Sequence, residues 1–171
     1  VTILQRGELV ARISEEIEQH LTELGTDGRL IRLQLRELMA GVEDERRLVV
    51  RDYFKQEMPW DLEQAIETLS SLDIDDLLDA EEVVEAMHLS DTSEGLDASI
   101  EPRGFRMLAR IPRLPIEVAE NLIANFGTLE KLNRASAEEM AAVPGVGEHW
   151  GSTIKDALSR IAESSILDRY S

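Results

Sequence analysis

Val143-Pro144-Gly145-Val146-Gly147 separates two segments that both have the pattern of a helix. The first segment, residues 136–142, begins with the Ser-x-x-Glu spacing of a capping box. The second, residues 148–163, carries an apolar stripe at helical spacing. Two glycines around one apolar residue allow backbone conformations that residues with side chains rarely adopt. The sequence therefore predicts a helix, a tight glycine turn and a second helix.

A turn of this kind directs backbone N–H groups outward at the start of a helix, where they can hold an anionic oxygen. The pattern resembles the helix-hairpin-helix motif, which binds the phosphate backbone of DNA without reading base sequence. The residues that this resemblance places at the DNA are Gly145, Val146, Gly147, Glu148 and His149. We expect Lys155, further along the second helix, to offset the negative charge of Glu148.

The same pattern occurs twice in the second half of the chain. Residues 108–115 align with residues 140–147 at a spacing of 32 residues, and Ala119 then corresponds to Gly151. A repeat built from two helices and a turn indicates one supersecondary unit used twice. We therefore expect five short helices that form a tandem helix-hairpin-helix domain.

The first copy has Arg113 and Pro115 where the second copy has its two glycines. We expect a degenerate hairpin that lacks the same backbone freedom and packs against the second copy. Its expected DNA contacts, at the tip and on the segment before it, are Arg103, Arg106, Arg110, Arg113 and Leu114. The four arginines fall within eleven residues that contain no acid.

The net charge of −17 would oppose binding to nucleic acid if it were spread evenly. Residues 1–100 contain nine Lys or Arg and 25 Asp or Glu, whereas residues 101–171 contain nine and ten. Fields from surface charges decay over about 8 Å at physiological salt. The basic segment 103–113 can therefore attract DNA although the chain as a whole is acidic.

Composition favours an all-α class, because aromatic residues make up 4% of the chain and no segment alternates like a strand. Cysteine is absent, which excludes disulfides and thiolate metal sites and fits a reducing cytoplasm. The three histidines have no ligand-like spacing, so we expect no metal site. No apolar run is long enough to span a bilayer and no signal peptide is evident, so we expect a cytoplasmic, nucleoid-associated protein.

The first part of the chain reads as a helical bundle rich in acidic residues. Its long first helix carries, on one side, Val10, Ile13, Ile17, Leu21 and Leu24. Ser, Asp, Thr and Gly then replace apolar residues, as is typical of a linker. We expect a helical spine domain over residues 1–90, a linker over 91–101 and the tandem domain over 102–171.

Residues 103–115, together with Leu24–Leu30 and Leu38–Val42, resemble the C-terminal part of the DisA family of DNA integrity scanning proteins. The resemblance covers nearly the whole chain. It implies a bacterial diadenylate cyclase that joins two ATP molecules into cyclic di-AMP in an N-terminal domain. It also implies a C-terminal domain that binds branched DNA, such as Holliday junctions.

The cyclase site of that family uses Asp-Gly-Ala and Arg-His-Arg motifs, and neither occurs in this sequence. Asp27-Gly28 is followed by Arg29. We therefore expect no catalytic residue and no cofactor in this chain, and interpret it as a fragment from which the cyclase domain is missing. ATP and a divalent metal such as Mg²⁺ or Mn²⁺ are expected only for that missing domain, through which the family oligomerises.

Two other functions compete with DNA binding. A structural and protein-interaction module would use the acidic bundle as a spacer and have little affinity for DNA. A base-excision glycosylase would need a catalytic Asp in a separate helical lobe, for which the chain has no room. Affinity that falls steeply with salt would favour DNA binding over docking to a protein.

Overall fold

In the computed structural model, the described residues are 1–26, 28–53, 59–87 and 100–169, and they form eleven α-helices and no β-strand. The all-α class predicted from the sequence is therefore confirmed. The chain divides into two compact units, residues 1–99 and residues 100–171. The linker predicted at residues 91–101 lies almost entirely outside the described residues.

The described residues of the first unit form six helices. They are α1 (Thr2–Glu23), α2 (Arg29–Met39), α3 (Val42–Tyr53), α4 (Pro59–Ser71), α5 (Ile74–Leu78) and α6 (Ala80–Ala86). The sequence did not predict α5, whose N-terminus is capped by Asp73 through a 2.8 Å hydrogen bond from the Asp76 N–H. A helix of five residues is too short for its apolar residues to show a helical period.

A buried carboxylate joins α1 to the rest of its unit. Glu8 is 4% exposed and accepts hydrogen bonds from Arg12 Nε at 3.3 Å and from Arg46 Nη1 on α3. Arg12 Nη2 also donates to the Leu72 carbonyl, just beyond α4, at 2.6 Å. Because a buried charge is costly unless it is paired, these contacts determine how α1 lies against α3 and α4.

The bundle does not bury the apolar side predicted for α1. Leu21 is 4% exposed, but Val10, Ile13, Ile17 and Leu24 are between 38% and 56% exposed. The side of α1 that the unit buries contains Leu4 and the paired Glu8 instead. Helix α2 likewise has no buried residue. The apolar stripe in the sequence therefore did not identify the packed side of α1.

Five helices form the second unit, as the sequence predicted. They are α7 (Phe105–Leu108), α8 (Ile116–Phe126), α9 (Leu129–Arg134), α10 (Ala137–Ala141) and α11 (Gly147–Arg169). The predicted capping box at the start of α10 is confirmed. The Glu139 N–H donates to Ser136 Oγ at 3.2 Å, and the Ser136 N–H donates to Glu139 Oε2 at 2.7 Å.

Equivalent positions of the two repeat copies lie in the core of this unit. The pairs that are buried in both copies are Leu108 with Met140, Ile111 with Val143, Ala119 with Gly151, and Leu122 with Ile154. The sequence repeat is therefore also a repeat of packing, in which each hairpin contributes the same positions to the core.

The helices of the second hairpin approach more closely than those of the first. A Cβ atom on Gly151 would lie 2.5 Å from the Ala137 carbonyl oxygen and 2.9 Å from the Ala141 nitrogen. The corresponding position of the first copy is Ala119, which is buried with its methyl group in place. Only a glycine at position 151 allows α10 and α11 to pack at this distance.

We predict that Gly151→Ala lowers the free energy of unfolding by about 1–3 kcal/mol, because the methyl group forces α10 and α11 apart. Alanine is the better helix former by about 1 kcal/mol, so a loss can come only from this contact. Thermal unfolding followed by circular dichroism measures the change. Ser152→Ala, at the exposed next position, is the control, and equal stability of the two variants would contradict the prediction.

Candidate nucleic-acid interface

The two hairpin turns share one backbone geometry. The Val146 N–H donates to the Val143 carbonyl at 3.1 Å, and the Leu114 N–H donates to the Ile111 carbonyl at 3.3 Å. Gly145 has φ +82°, and the residue 32 positions earlier, Arg113, has φ +61°. The prediction that the first turn is degenerate is therefore wrong at this position, because the arginine adopts the conformation that favours glycine.

Arg113 is the only residue other than glycine with a positive φ in the described part of the chain. A residue with a side chain has a free-energy cost of about 1–2 kcal/mol in the left-handed region. The surrounding packing supplies this free energy, since Ile111 is buried and Leu114 is half-buried. The sequence could not show this strain, because an Ile-Pro-Arg-Leu-Pro segment does not look like a left-handed turn.

The two turns differ at the residue that leads into the second helix. Gly147 has φ +72°, whereas Pro115 has φ −62° and ψ 141°. Proline also lacks an N–H group, so the first hairpin has one backbone donor fewer. A Cβ atom on Gly147 would meet no other atom within 4 Å. The first N–H groups of α11 have no acceptor within the helix and can therefore take an anionic oxygen beside this open space.

At the second tip, the predicted residues contribute in different ways. Val146 is 5% exposed and belongs to the core, and its N–H already donates to the Val143 carbonyl, so this residue shapes the turn from within. Glu148 and His149 are exposed in the first turn of α11. The His149 ring makes an edge contact with the Trp150 ring, with centroids 5.2 Å apart.

Lys155 has a different role from the one that the sequence suggested. Its Nζ donates to the carbonyl oxygens of Asn133 and Ala135, each at 2.8 Å. These carbonyls lie at the C-terminal end of α9, where a positive charge is favourable. Lys155 therefore holds α11 against α9, and we no longer expect it to offset the charge of Glu148.

The four arginines before the first tip are not equivalent. The guanidinium of Arg103 lies 5.4 Å from the centroid of the Phe105 ring, a cation–π contact, and Arg106 is half-buried. Arg110 and Arg113 are exposed, and their guanidinium groups have no hydrogen-bond or ion-pair partner in the described part of the chain. The first tip thus presents two cations to solvent.

Charge therefore distinguishes the two tips. The first has Arg110 and Arg113 beside one acid, Glu117 in the first turn of α8, whereas the charged residue exposed at the second is Glu148. Glu138, on the helix before the second turn, also stays ionised, since hydrogen bonds from its own backbone N–H and from Ser136 lower its pKa. The first tip is the better site for the charge of a phosphate, and the second is the richer in N–H donors.

Sequence reasoning missed one residue of this site. Asn121, on α8, donates from Nδ2 to the Pro144 carbonyl at 3.0 Å. A Cβ atom on Gly145 would lie 2.7 Å from that same Nδ2. Both its positive φ and the asparagine beside it thus favour glycine at position 145. The two partners are 23 residues apart, so no local pattern links them.

No group of three or more His, Asp or Glu side chains in the described residues could hold a metal ion. None of the helices in the described ranges is long and apolar enough to cross a membrane.

We predict that Arg113→Gly changes the melting temperature by no more than about 2 °C, because relief of the left-handed strain offsets the greater freedom of the unfolded chain. Arg113→Val should lower it clearly, since a β-branched residue is a genuine outlier at positive φ. Circular dichroism melts of both variants provide the measurement. A stable valine variant would show that the turn does not require this conformation.

Comparison with known proteins agrees with this architecture. A family model described as the DisA bacterial checkpoint controller linker region matches residues 1–96, and a helix-hairpin-helix motif model matches residues 109–166. The chain is similar to curated proteins named DNA integrity scanning protein DisA. The one from Frankia alni is 48% identical over 99% of this chain, that from Streptomyces avermitilis 46% over 98%, and that from Kineococcus radiotolerans 45% over 99%.

The chain spans about half the length of these relatives, between 46% and 48% of each. The linker-region match alone covers more than half of the chain. With the helix-hairpin-helix match on the remaining part, the order of the two regions agrees with the two compact units. The chain therefore belongs to the DisA family.

Proposed function

We propose that residues 100–171 bind the phosphate backbone of DNA through both hairpin tips, without reading base sequence. The observation that carries this proposal is the pair of turns with one shared geometry, in which left-handed Arg113 occupies the place of Gly145. One tip presents cations and the other presents N–H groups, and both are chemistries that hold phosphate. The name of the relatives, DNA integrity scanning protein, supports the proposal.

In this proposal the two hairpins contribute different parts of the binding energy. Arg110 and Arg113 neutralise phosphate charge and release counterions, which makes the affinity depend on salt. The N–H groups at Gly145, Gly147 and the start of α11 donate directional hydrogen bonds. Contacts of both kinds position a protein on DNA but carry no sequence information. Selectivity would then come from the shape of the DNA, and we propose branched DNA such as Holliday junctions as the target.

For the whole protein, we propose that DNA occupancy is reported to a diadenylate cyclase domain that makes cyclic di-AMP from ATP. The resemblance described above and the half-length match to the relatives support this reading. The present chain contains neither of the nucleotide-binding motifs of that family, so we assign the catalysis and its metal to a domain outside this sequence. Residues 1–99, with their large excess of acid, would repel DNA and leave binding to the second unit.

Fluorescence anisotropy with duplex, single-stranded and four-way-junction DNA tests this function. If each hairpin neutralises about two phosphates, the logarithm of affinity should fall with the logarithm of salt at a slope of about −3 to −4. Tighter binding of the junction would support selection of branched DNA. A slope near zero would contradict backbone binding and favour the protein-interaction module.

The same titration separates the arginines. We predict that Arg110→Ala and Arg113→Ala each lower the magnitude of the salt slope by about one, and weaken binding to all sequences alike. The matched control is Arg160→Ala. It removes the same charge from α11, about 20 Å from the start of that helix at the second tip. If the control changes the slope as much as the tip variants, affinity follows net charge and not the hairpin tips.

A substitution at Glu148 adds positive charge and should strengthen DNA binding, in contrast to the arginine variants. Its carboxylate lies at the start of α11, beside the N–H groups that are proposed to hold phosphate. We predict that Glu148→Lys strengthens DNA binding at low salt by about tenfold and makes the salt slope steeper by about one. Glu163→Lys, about four turns further along the same helix, is the charge-matched control. If both lysine variants gain the same affinity for DNA, the second tip is not part of the interface.

A further inference from the structure

Asn121 connects the two hairpins through one hydrogen bond. It lies on α8, the helix that follows the first tip, and donates from Nδ2 to the Pro144 carbonyl at 3.0 Å in the turn of the second hairpin. The helix that begins at one tip therefore holds the backbone of the other. The bond lies within one compact unit, residues 100–171.

The connection runs in one direction only. The residue that corresponds to Asn121 in the second copy is Thr153, 32 positions later. The Thr153 hydroxyl donates to the His149 carbonyl at 2.7 Å, within its own helix. The repeat symmetry is thus broken at this position, and α8 supports the second turn in a way that α11 does not reproduce for the first.

The group that Asn121 holds determines the direction of an amide. The Pro144 carbonyl and the Gly145 N–H belong to one peptide plane, and in a trans peptide they point in opposite directions. Because the carbonyl is directed at α8, the Gly145 N–H points away from it. A carbonyl that accepts a hydrogen bond also polarises the N–H of its own peptide, which strengthens that donor.

We propose that Asn121 is a positioning residue for phosphate at the second hairpin, which aims the Gly145 N–H outward and makes the two tips act as one site. This inference rests on the proposed function, since it assumes that phosphate is the ligand. It also explains the absence of a side chain at position 145. A Cβ atom there, 2.7 Å from Nδ2, would displace the amide of Asn121 from the carbonyl.

The test compares Asn121→Ala with Asn125→Ala in the full chain. Asn125 is exposed one turn further along α8, and its side-chain amide has no hydrogen-bond partner in the described ranges, so it is a matched control. With four-way-junction DNA and anisotropy detection, we expect Asn121→Ala to bind about three- to tenfold more weakly, as for the loss of one hydrogen bond. Its salt slope should equal that of the wild type, because no cation is removed.

A purely structural role for Asn121 would give a different result. It would lower the melting temperature and broaden resonances throughout the second unit. In contrast, a positioning role predicts that DNA titration still shifts the amide resonances near Arg113 but no longer shifts that of Gly145. Nuclear magnetic resonance of the labelled chain distinguishes the two.

Combining Asn121→Ala with Gly145→Ala gives a second test of the inference. Since both substitutions break the same contact, the double variant should bind DNA as weakly as Gly145→Ala alone. Additive losses would overturn the inference, as would equal affinity of Asn121→Ala and Asn125→Ala. Failure of the wild type to bind DNA would refute the proposed function itself, a result that is distinct from a wild type that binds and an Asn121 variant that binds equally.

Discussion

The close approach of α10 and α11 at Gly151 is the constraint on which the geometry of the second hairpin depends. The two helices pack where no Cβ atom would fit, and the chain must reverse between them within the few residues from Val143 to Gly147. Such a short reversal requires left-handed residues, which are Gly145 and Gly147 here. The first hairpin allows a methyl group at the equivalent place, Ala119, and completes its reversal with one left-handed residue and a proline.

The two copies of the repeat have tips with one backbone turn and different surfaces. The first tip retains the turn at the expense of strain in Arg113 and in return exposes a cation where the second exposes a peptide backbone. On the second hairpin, the ammonium of Lys155 is directed to the carbonyls at the end of α9. Each hairpin thus supplies what the other lacks, and the hydrogen bond from Asn121 holds the second turn to the helix of the first.

The packing of the first unit depends on a buried charged group. Its core includes a carboxylate, Glu8, that is buried because two arginines neutralise it, and Arg12 extends the same network to the end of α4. Polar contacts thereby occupy the packed side of α1, while Ile13 and Ile17 on another side remain exposed. Its acidic surface and the basic first tip of the second unit have opposite electrostatic character within one chain.

What the sequence by itself determined are the features that depend on local spacing: the all-α class, five helices in the second unit, the capping box at Ser136 and the 32-residue repeat. Each follows from residues less than a few turns apart or from direct self-similarity. Only the tertiary structure decided that Arg113 is left-handed, that Lys155 faces α9, that Glu8 displaces the apolar stripe of α1, and that Asn121 reaches Pro144. These outcomes depend on which atoms meet through space, because hydrogen-bond partners and burial compete across segments that no periodic pattern connects.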